Sequence, residues 1–442
     1  VPAALLSKRP FFIKLGKANE TLFRLYVYDA YPANKTANVV NCVRQNPLVE
    51  VGLLDKSAAG TISSSQNTAY AISKFLGGVL SDKISAKWLF FSGLVLSGGA
   101  TVLFSTSSSL TMFAALWFLN GFAQGAGWPA CAKLLKKWFS PEQFGTFWSA
   151  LSASSNVSGS LCPFLATWVI EHFDWRASLV VSGGVTLTSA ICVALMLRDS
   201  PIEAGFNKDF TQEATKKKTD GKSTANQLTW RDLIHSPFLW LVSAVFLVVF
   251  AAKTSVTEWG QMYLIEDLGH SAFTGSGFIS AVETGGFFGG IAAGYVTDWL
   301  KKKWGKKTAG NPRMFAAIWF MAGVAGFLFV LTTFVTTHTS QFFLTVIGFG
   351  LGACLYACIA IYGIVASESY PSHLSGTAHA VVALAANVGA ILSGLPCSYV
   401  AQLYNWRAIF IVLEVLAAAA ALFLIVFRKV TPGLPEDKPK SQ

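Results

Sequence analysis

Two short stretches of the chain repeat one pattern and decide the fold. The first is GGVLSDKISAKWL (Gly77–Leu89), and the second is AGYVTDWLKKKW (Ala293–Trp304). Each stretch directly follows a long apolar run. Each passes from glycine through two apolar residues and a hydroxyl residue to aspartate, and then becomes basic. A pattern that recurs at long range indicates that one structural unit is used twice.

The repeat has a consistent offset. Gly78 and Asp82 return as Gly294 and Asp298, 216 positions later. Three further pairs share an offset of 231 positions, and they are SPEQFGT with SHLSGT, DWRASL with NWRAIF, and Asn156 with Asn387. Chance matches of short strings would not keep the same order and nearly the same spacing. The sequence therefore predicts two similar helical bundles.

The composition is that of a membrane protein. Of 442 residues, 53% are hydrophobic and only 13% are charged, whereas a soluble domain carries about 25% charged residues. The formal charge of +11 is divided into short basic clusters between apolar runs, as in cytosolic loops, which argues against nucleic-acid binding. The seven cysteines stand singly, so the sequence predicts neither a disulfide framework nor a zinc site.

Eleven apolar windows are long enough to cross a bilayer. They lie near 61–80, 88–107, 111–132, 144–170, 175–197, 237–257, 271–297, 313–334, 341–366, 375–402 and 407–427. We predict an all-α membrane protein with two pseudo-symmetric six-helix bundles and a first helix that is poorly formed or missing. The predicted parts are a divergent segment (1–60), a first bundle (61–197), a basic linker (198–236), a second bundle (237–427) and a tail (428–442).

The loops alternate in charge along the chain. Lysine and arginine concentrate in every second loop, in the linker and in the tail, so the linker and the C-terminus are predicted to be cytosolic. Five spans counted back from the linker place residues 1–60 outside the cytosol. That segment is nevertheless basic. The conflict predicts a sixth, weak span near 22–45.

The repeated pattern resembles the major facilitator superfamily, whose signature between the second and third helices is this Gly-x-x-x-Asp-basic loop. LNGFAQGAGWPACAKLLKKWF (Leu119–Phe139) resembles the signature of its organophosphate:phosphate antiporters, and SSQNTAYAISKFLGGVLSD and GTAHAVVALAANVGAILSGLP strengthen the likeness. The resemblance covers Leu54 to Phe427 and is nearest to the endoplasmic-reticulum glucose-6-phosphate exchangers. In the family's first helix an Asn-Arg-Lys-Thr string supplies a substrate-binding arginine, whereas this chain offers only NKT, with Lys35.

The resemblance implies a function and a location. It implies exchange of a sugar phosphate for inorganic phosphate by alternating access in the endoplasmic-reticulum membrane. It also implies functional coupling to a lumenal glucose-6-phosphatase. The sequence contains no Walker lysine loop, HExxH string or nucleophile elbow, so we expect no enzyme activity, cofactor, metal or nucleic-acid partner.

Ionisable residues inside a span cost several kcal/mol and are functional candidates, and three of those in the predicted spans stand out. They are Lys74, Lys253 and Glu283. One lysine from each bundle would supply the cations that a phosphate dianion needs, and in the resemblance both positions match phosphate ligands. Alternatively, a lysine extends its ammonium group to the interface. Glu283 either competes with substrate for a lysine or forms a fixed ion pair.

Further candidates for substrate binding are polar residues in the predicted spans. Tyr70 precedes Lys74 by four positions and shares its helix face. Asn156 and Asn387 suit sugar hydroxyls or phosphate oxygens, but asparagines in such helices also form interhelical hydrogen bonds. His379 lies eight residues before Asn387 and either ligates substrate, carries a proton or is a satisfied core histidine. Gln124 and Trp128 belong to the family signature, and packing explains Trp128 equally well.

The last residues, KPKSQ, place Lys438 and Lys440 five and three positions from the end. This spacing matches the cytosolic dilysine retrieval pattern Lys-x-Lys-x-x, although solvated charge explains two lysines equally well. Gly78, Asp82, Gly294 and Asp298 are expected to hold helices in one conformational state, with the glycines permitting close helix approach.

Three functions remain open from the sequence. The first is exchange of an organophosphate, such as glucose-6-phosphate, another hexose phosphate or glycerol-3-phosphate, for inorganic phosphate. The second is proton-coupled export of amphipathic compounds, which would favour an acidic pair over paired lysines. The third is a receptor that senses a phosphorylated ligand without transport, which an extra cytosolic domain would favour.

Asn19 and Asn34 begin Asn-x-Thr sequons, which accept glycans only in the lumen. If a span forms near 22–45, Asn19 lies on the cytosolic side and stays unmodified. Mass spectrometry of the protein from eukaryotic cells, with and without glycosidase, checks this. A glycan on Asn19 would show an eleven-span chain and contradict twelve spans.

Overall fold

The computed structural model describes residues 56–138, 141–200, 203, 230–304, 311–370, 372–428 and 430. The predicted weak span near 22–45, Lys35, most of the linker, and Lys438 and Lys440 lie outside the described residues. Within the described residues the chain is helical, with no strand. The chain divides into two compact units, Val1–Lys222 and Ser223–Gln442.

The described part of unit 1 contains six helices. They are α1 (Lys56–Lys83), α2 (Ala86–Ser105), α3 (Leu110–Gly125), α4 (Gly127–Trp138), α5 (Pro141–His172) and α6 (Trp175–Met196). Helix α1 packs on α3, and α2 packs on α6. Close to the first of these contacts, the buried rings of Phe104, Phe113 and Trp117 pack together with Ile62.

Unit 2 repeats this arrangement. Its described helices are α7 (Trp230–Ile234), α8 (Pro237–Met262), α9 (Ala272–Trp304), α10 (Pro312–Thr333), α11 (Gln341–Glu368), α12 (Ser372–Ser393), α13 (Leu395–Leu403) and α14 (Trp406–Val426). Helix α8 continues as a π-helical turn, Tyr263–Asp267. Helix α9 packs on α11 as α1 packs on α3, and α10 packs on α14 as α2 packs on α6.

Each of the eleven predicted windows is helical in the structure. Seven of the described segments are long and apolar enough to cross a membrane by length and composition: α2, α6, α8 with its π-turn, α10, the first 26 residues of α11, α12 with α13 from Thr377, and α14. Helices α1, α5 and α9 are long but carry many serine, threonine, glycine or amide residues. The window predicted at 111–132 is divided, because α3 ends at Gly125 and α4 begins at Gly127.

Helix caps explain part of the sequence repeat. Corresponding helix starts in the two units are capped by a side-chain oxygen that accepts a hydrogen bond from the backbone N–H three residues later. The pairs are Ser109 with Met112, Ser340 with Phe343, Asp174 with Ala177, and Asn405 with Ala408. The DWRA and NWRA strings are thus two versions of one helix start, and in each the capping residue is followed by a buried tryptophan.

Glycines bring the helices of each principal pair into backbone contact. In unit 1, a Cβ atom on Gly121 of α3 would overlap the carbonyl oxygen of Gln66 on α1. In unit 2, a Cβ atom on Gly352 of α11 would overlap the carbonyl oxygen of Val282 on α9. Gly352 lies 231 positions after Gly121, and Val282 lies 216 positions after Gln66, so the two contacts are equivalent in the sequence repeat. Small residues allow such approach between membrane helices, where packing contributes much of the association energy.

One helical turn further along, the positions of glycine and tyrosine are reversed between the two units. In unit 1, Gly125 of α3 faces the backbone of Tyr70 on α1. A Cβ atom on Gly125 would lie 2.6 Å from the backbone carbonyl oxygen of Tyr70. In unit 2, the equivalent of Gly125 is Tyr356, and the equivalent of Tyr70 is Gly286. The ring of Tyr356 lies against Gly286, where a Cβ atom would overlap it. Each unit therefore has one tyrosine at this helix contact, but Tyr70 belongs to the first helix of its pair and Tyr356 to the second.

Adjacent glycines of α9 test the importance of the backbone contact. A Cβ atom on Gly289 would overlap the backbone of Ala353, whereas one on Gly290 would meet nothing within 4 Å among the described residues. We expect Gly289→Ala to destabilise the protein by about 1–3 kcal/mol through overpacking, and Gly290→Ala to leave stability unchanged or slightly raised. Thermal unfolding of the purified variants in detergent measures the difference. Equal midpoints would contradict the close contact.

Candidate functional site

Three side chains from three helices meet inside unit 2. Helix α8 provides Lys253, α9 provides Glu283 and α11 provides Tyr356. The Lys253 Nζ atom lies 4.0 Å from Glu283 Oε1, and the two side chains are 4% and 2% exposed. The Tyr356 hydroxyl donates a hydrogen bond of 2.6 Å to Glu283 Oε2. This is a buried cluster of one cation, one carboxyl group and one phenol.

The glycine contacts between α9 and α11 position this cluster. Val282, the residue before Glu283, is in backbone contact with Gly352, four residues before Tyr356. Gly286 then leaves room for the Tyr356 ring. Because both helices are held at contact distance on either side of Glu283, the phenol reaches its carboxyl group directly.

Lys253 also lies close to an aromatic face. Its Nζ atom is 5.7 Å from the centroid of the Tyr356 ring, which is within the range of a cation–π interaction. The 4.0 Å separation from Glu283 Oε1 is an ion-pair distance but too long for a hydrogen bond. Since isolated charges are costly inside a membrane, the ring and the carboxyl group together make the buried lysine tolerable.

Unit 1 contains a second lysine–tyrosine pair. Lys74 and Tyr70 lie one turn apart on α1, and Lys74 Nζ is 5.7 Å from the centroid of the Tyr70 ring. Both residues are half-buried, so Lys74 is more accessible than Lys253. Gly125 of α3 contacts the backbone of both residues. This contact fixes the position of Tyr70 and Lys74 on α1 relative to α3.

Gln124 lies in an interhelical network. Its Nε2 donates to Ser97 Oγ and Asn120 Oδ1, and the Asn120 amide donates to the Thr101 hydroxyl. Gln66 of α1 also donates to Asn120. These buried amides and hydroxyls link α1, α2 and α3. The structure thus places Gln124 where it joins helices, and Asn120, at the centre of the network, was not among the sequence candidates.

The remaining polar candidates are spread over α5 and α12. Asn156 is buried in α5, and its Oδ1 accepts a hydrogen bond of 3.3 Å from Ser155 Oγ. On α12, Asn387 is half-buried and His379 is exposed. His379 faces Gly363 of α11, where a Cβ atom would lie 3.7 Å from its Cε1. The structure does not bring Asn387 or His379 into the described cluster of unit 2. The side chain of Trp128 lies outside the described set.

Asp298 takes part in an ion-pair cluster at one end of unit 2. The buried Arg313 guanidinium lies 2.7 Å from Asp298 Oδ1 and 3.0 Å from Glu368 Oε1. Lys301 lies 2.8 Å from Glu368 Oε2. Partial burial raises the pKa of Glu368, but hydrogen bonds and charges from Lys301 and Arg313 outweigh it, so this pKa lies below its ordinary value. The Glu368 carboxylate is therefore charged at neutral pH, and its contribution to the cluster is lost only under acid conditions.

The role predicted for Gly294, to hold a conformational state, stays a prediction, but no close helix contact at this residue appears among the described residues. A Cβ atom there would meet nothing within 4 Å among them. In unit 2 the close approach depends on Gly285, Gly289 and Gly352 instead. In unit 1 the surroundings of Gly78 and the side chain of Asp82 lie outside the described set. Among the described residues no group of three or more His, Cys, Asp or Glu could hold a metal ion.

Comparisons with known proteins agree with this architecture. The profile of the Major Facilitator Superfamily matches residues 37–394. The membrane sensor protein UhpC of Escherichia coli is 30% identical over 85% of this chain and 84% of its own length. A probable hexose phosphate transport protein of Chlamydia pneumoniae is 29% identical over 84% of this chain and 83% of its own.

A solved structure supports the fold alone. A mutant of the peptide transporter POT, in complex with sulfate, superposes with a TM-score of 0.70 at 13% identity, covering 94% of this chain and 96% of that one. The family profile spans most of the chain, and the relatives align over most of their own length. The chain is thus a multi-pass membrane protein of the Major Facilitator Superfamily, within its organophosphate:phosphate antiporter family.

Proposed function

We propose that the protein is a secondary active transporter that exchanges a sugar phosphate for inorganic phosphate by alternating access. The observation that carries the proposal is Lys253, which is 3% exposed in the middle of a helix that is long and apolar enough to span the membrane. An intramembrane cation of this kind marks a substrate pathway more often than a structural contact.

The geometry around Lys253 suits an exchangeable anion. Glu283 lies at an ion-pair distance from Nζ, yet too far away for a hydrogen bond. A phosphate oxygen could form the charge-assisted hydrogen bond that Glu283 does not form, and such bonds are about twice as strong as neutral ones. The carboxyl group thus leaves a hydrogen-bond position of the lysine open to the substrate, and it balances the lysine charge when the substrate leaves.

Lys74 provides the same chemistry in unit 1. It is a half-buried lysine beside a tyrosine ring, on a helix that the glycines of α3 hold in place. We propose that Lys74 and Tyr70 also bind the substrate, and that Asn156, Asn387 and His379 contact its polar groups. Gln124 acts indirectly, by joining the helices of unit 1.

Glucose-6-phosphate is our choice of substrate, with other hexose phosphates and glycerol-3-phosphate as alternatives. The name of the Chlamydia relative supports a hexose phosphate. The resemblance to endoplasmic-reticulum exchangers supports the endoplasmic reticulum as the location. In that membrane the protein would supply a lumenal glucose-6-phosphatase.

A sensor function is the second candidate, because the Escherichia coli relative is named a membrane sensor protein. A sensor would keep the phosphate-binding residues but would show ligand binding with no exchange. Transport into vesicles therefore separates the two functions.

Lys253→Ala should lose uptake of sugar phosphate and phosphate exchange alike, while reaching the membrane in normal amount. Loss of one charge-assisted hydrogen bond should cost about 1.5–3 kcal/mol of affinity, which is roughly tenfold or more. Lys253→Arg should keep part of the activity, since the charge remains while the geometry differs. Uptake of labelled substrate by reconstituted vesicles measures each variant.

Lys302→Ala is the matched control for this experiment, because Lys302 is an exposed lysine of α9 outside the cluster. Its transport should equal that of the wild type. If Lys253 were only structural, Lys253→Ala would lower the protein yield, and Glu283→Gln in addition would restore it. Normal transport by well-expressed Lys253→Ala would contradict phosphate binding by this lysine.

Obligatory exchange predicts a dependence on internal phosphate. If an unloaded carrier cannot return without an anion, sugar-phosphate uptake should be slow into phosphate-free vesicles and fast into phosphate-loaded ones, with no proton gradient imposed. Filtration assays with both vesicle types measure the ratio. Equal uptake would rule out obligatory antiport.

A further inference from the structure

One oxygen of the Glu283 carboxyl group, Oε1, is a buried acceptor that receives no hydrogen bond from the described residues. Its partner oxygen, Oε2, is held by the Tyr356 hydroxyl at 2.6 Å. Oε1 accepts no hydrogen bond from any described residue, although Glu283 is only 1% exposed. A buried carboxyl oxygen left in this way is costly, so the site is complete only when a donor reaches Oε1.

The neighbouring protein groups do not supply that donor. Tyr356 already directs its hydroxyl proton to Oε2. Lys253 Nζ remains 4.0 Å from Oε1, beyond hydrogen-bond range. These two are the titratable groups that face Glu283 in the described part of the chain. The missing proton would therefore come from the ligand.

The same 4.0 Å separation fits one oxygen atom between the two groups. An oxygen that accepts a hydrogen bond from Nζ at about 2.8 Å can also lie at hydrogen-bond distance from Oε1, because two such legs span 4.0 Å. The phosphoryl oxygen bound by Lys253 thus meets a donor on one side and an acceptor on the other. If that oxygen carries no proton, its lone pairs face those of Oε1 and repel them.

We infer that Glu283 selects phosphoryl groups that carry a proton, by accepting a hydrogen bond from P–OH to Oε1. The inference rests on the proposed function and deepens it, because it names the form of the substrate. No bond is broken, and the proton stays on the phosphoryl oxygen. Near neutral pH, inorganic phosphate always bears such a proton, and a phosphate monoester, with a second pKa of about 6, bears it as the monoanion.

Anions of similar shape without a proton should be excluded. Sulfate and monofluorophosphate are tetrahedral and fully ionised near neutral pH, so each would place an unprotonated oxygen against Oε1. The carboxyl group would then act as a filter between oxyanions that Lys253 alone attracts equally. A ligand hydroxyl on carbon could also reach Oε1, but inorganic phosphate has no such group, which makes the two possibilities separable.

The test is competition with phosphate–phosphate exchange in reconstituted vesicles at neutral pH. In the wild type, sulfate and monofluorophosphate should inhibit at least about tenfold less strongly than unlabelled phosphate. In Glu283→Gln, the amide can turn its N–H toward an unprotonated oxygen. We therefore expect the discrimination against both anions to fall by about tenfold or more.

Glu414→Gln is the matched control. It makes the same chemical change in unit 2, but Glu414 of α14 accepts its hydrogen bond from Thr332 of α10 and lies outside the cluster. Its discrimination should equal that of the wild type. If Glu283→Gln binds phosphate but does not transport it, the shifts in thermal unfolding midpoint caused by phosphate and by sulfate give the same comparison on purified protein.

The outcomes separate this inference from the proposed function. Absence of phosphate exchange in well-folded wild-type protein would overturn the proposed function. Exchange that sulfate inhibits as strongly as phosphate would overturn the inference alone. Unchanged discrimination in Glu283→Gln would also overturn it. So would a variant that loses only sugar phosphates, because that result would assign Oε1 to a carbon-bound hydroxyl.

Discussion

The backbone contact between α9 and α11 is the constraint on which the candidate site depends. Gly352 meets Val282, and Gly289 meets Ala353, at distances that admit no side chain. Membrane helices gain little from hydrophobic burial against each other, so close packing and polar contacts must hold them. With that contact in place, Tyr356 reaches Glu283, and Glu283 is set at an ion-pair distance from Lys253.

The two units use one framework for different chemistry. In unit 1 the buried polar contacts that link α1, α2 and α3 are amides and hydroxyls, centred on Asn120 and Gln124, and the lysine stays partly accessible. Between α9 and α11 the equivalent positions are apolar, with Leu351 and Leu355, and the polar groups are concentrated in one charged cluster near Lys253. Duplication has preserved the helix contacts and caps, whereas the side chains that suit a ligand have diverged.

Local sequence pattern predicted the helices and part of the site. Apolar windows marked the helices, and the intramembrane cost of charge singled out Lys253 and Glu283, which the structure brings together. Tyr356 was missed because a tyrosine in an apolar helix carries no distinguishing signal until the opposing Gly286 is known. Which glycines lie at a helix contact could not be predicted, because a glycine's partner helix depends on the direction that the glycine faces: Gly352 meets Val282, whereas Gly294 meets no described residue within 4 Å. Arg313, in the Asp298 cluster, was missed because it lies far from Glu368 in sequence.

The central claim is that a phosphoryl group binds at the Lys253–Glu283–Tyr356 cluster. The most direct measurement is equilibrium binding of radiolabelled inorganic phosphate to the purified wild-type protein, with Lys253→Ala as reference. The account predicts saturable phosphate binding that sugar phosphates displace. The affinity of Lys253→Ala for phosphate should be lower by about tenfold or more. Equal binding by both proteins, or binding that sugar phosphates do not displace, would contradict it.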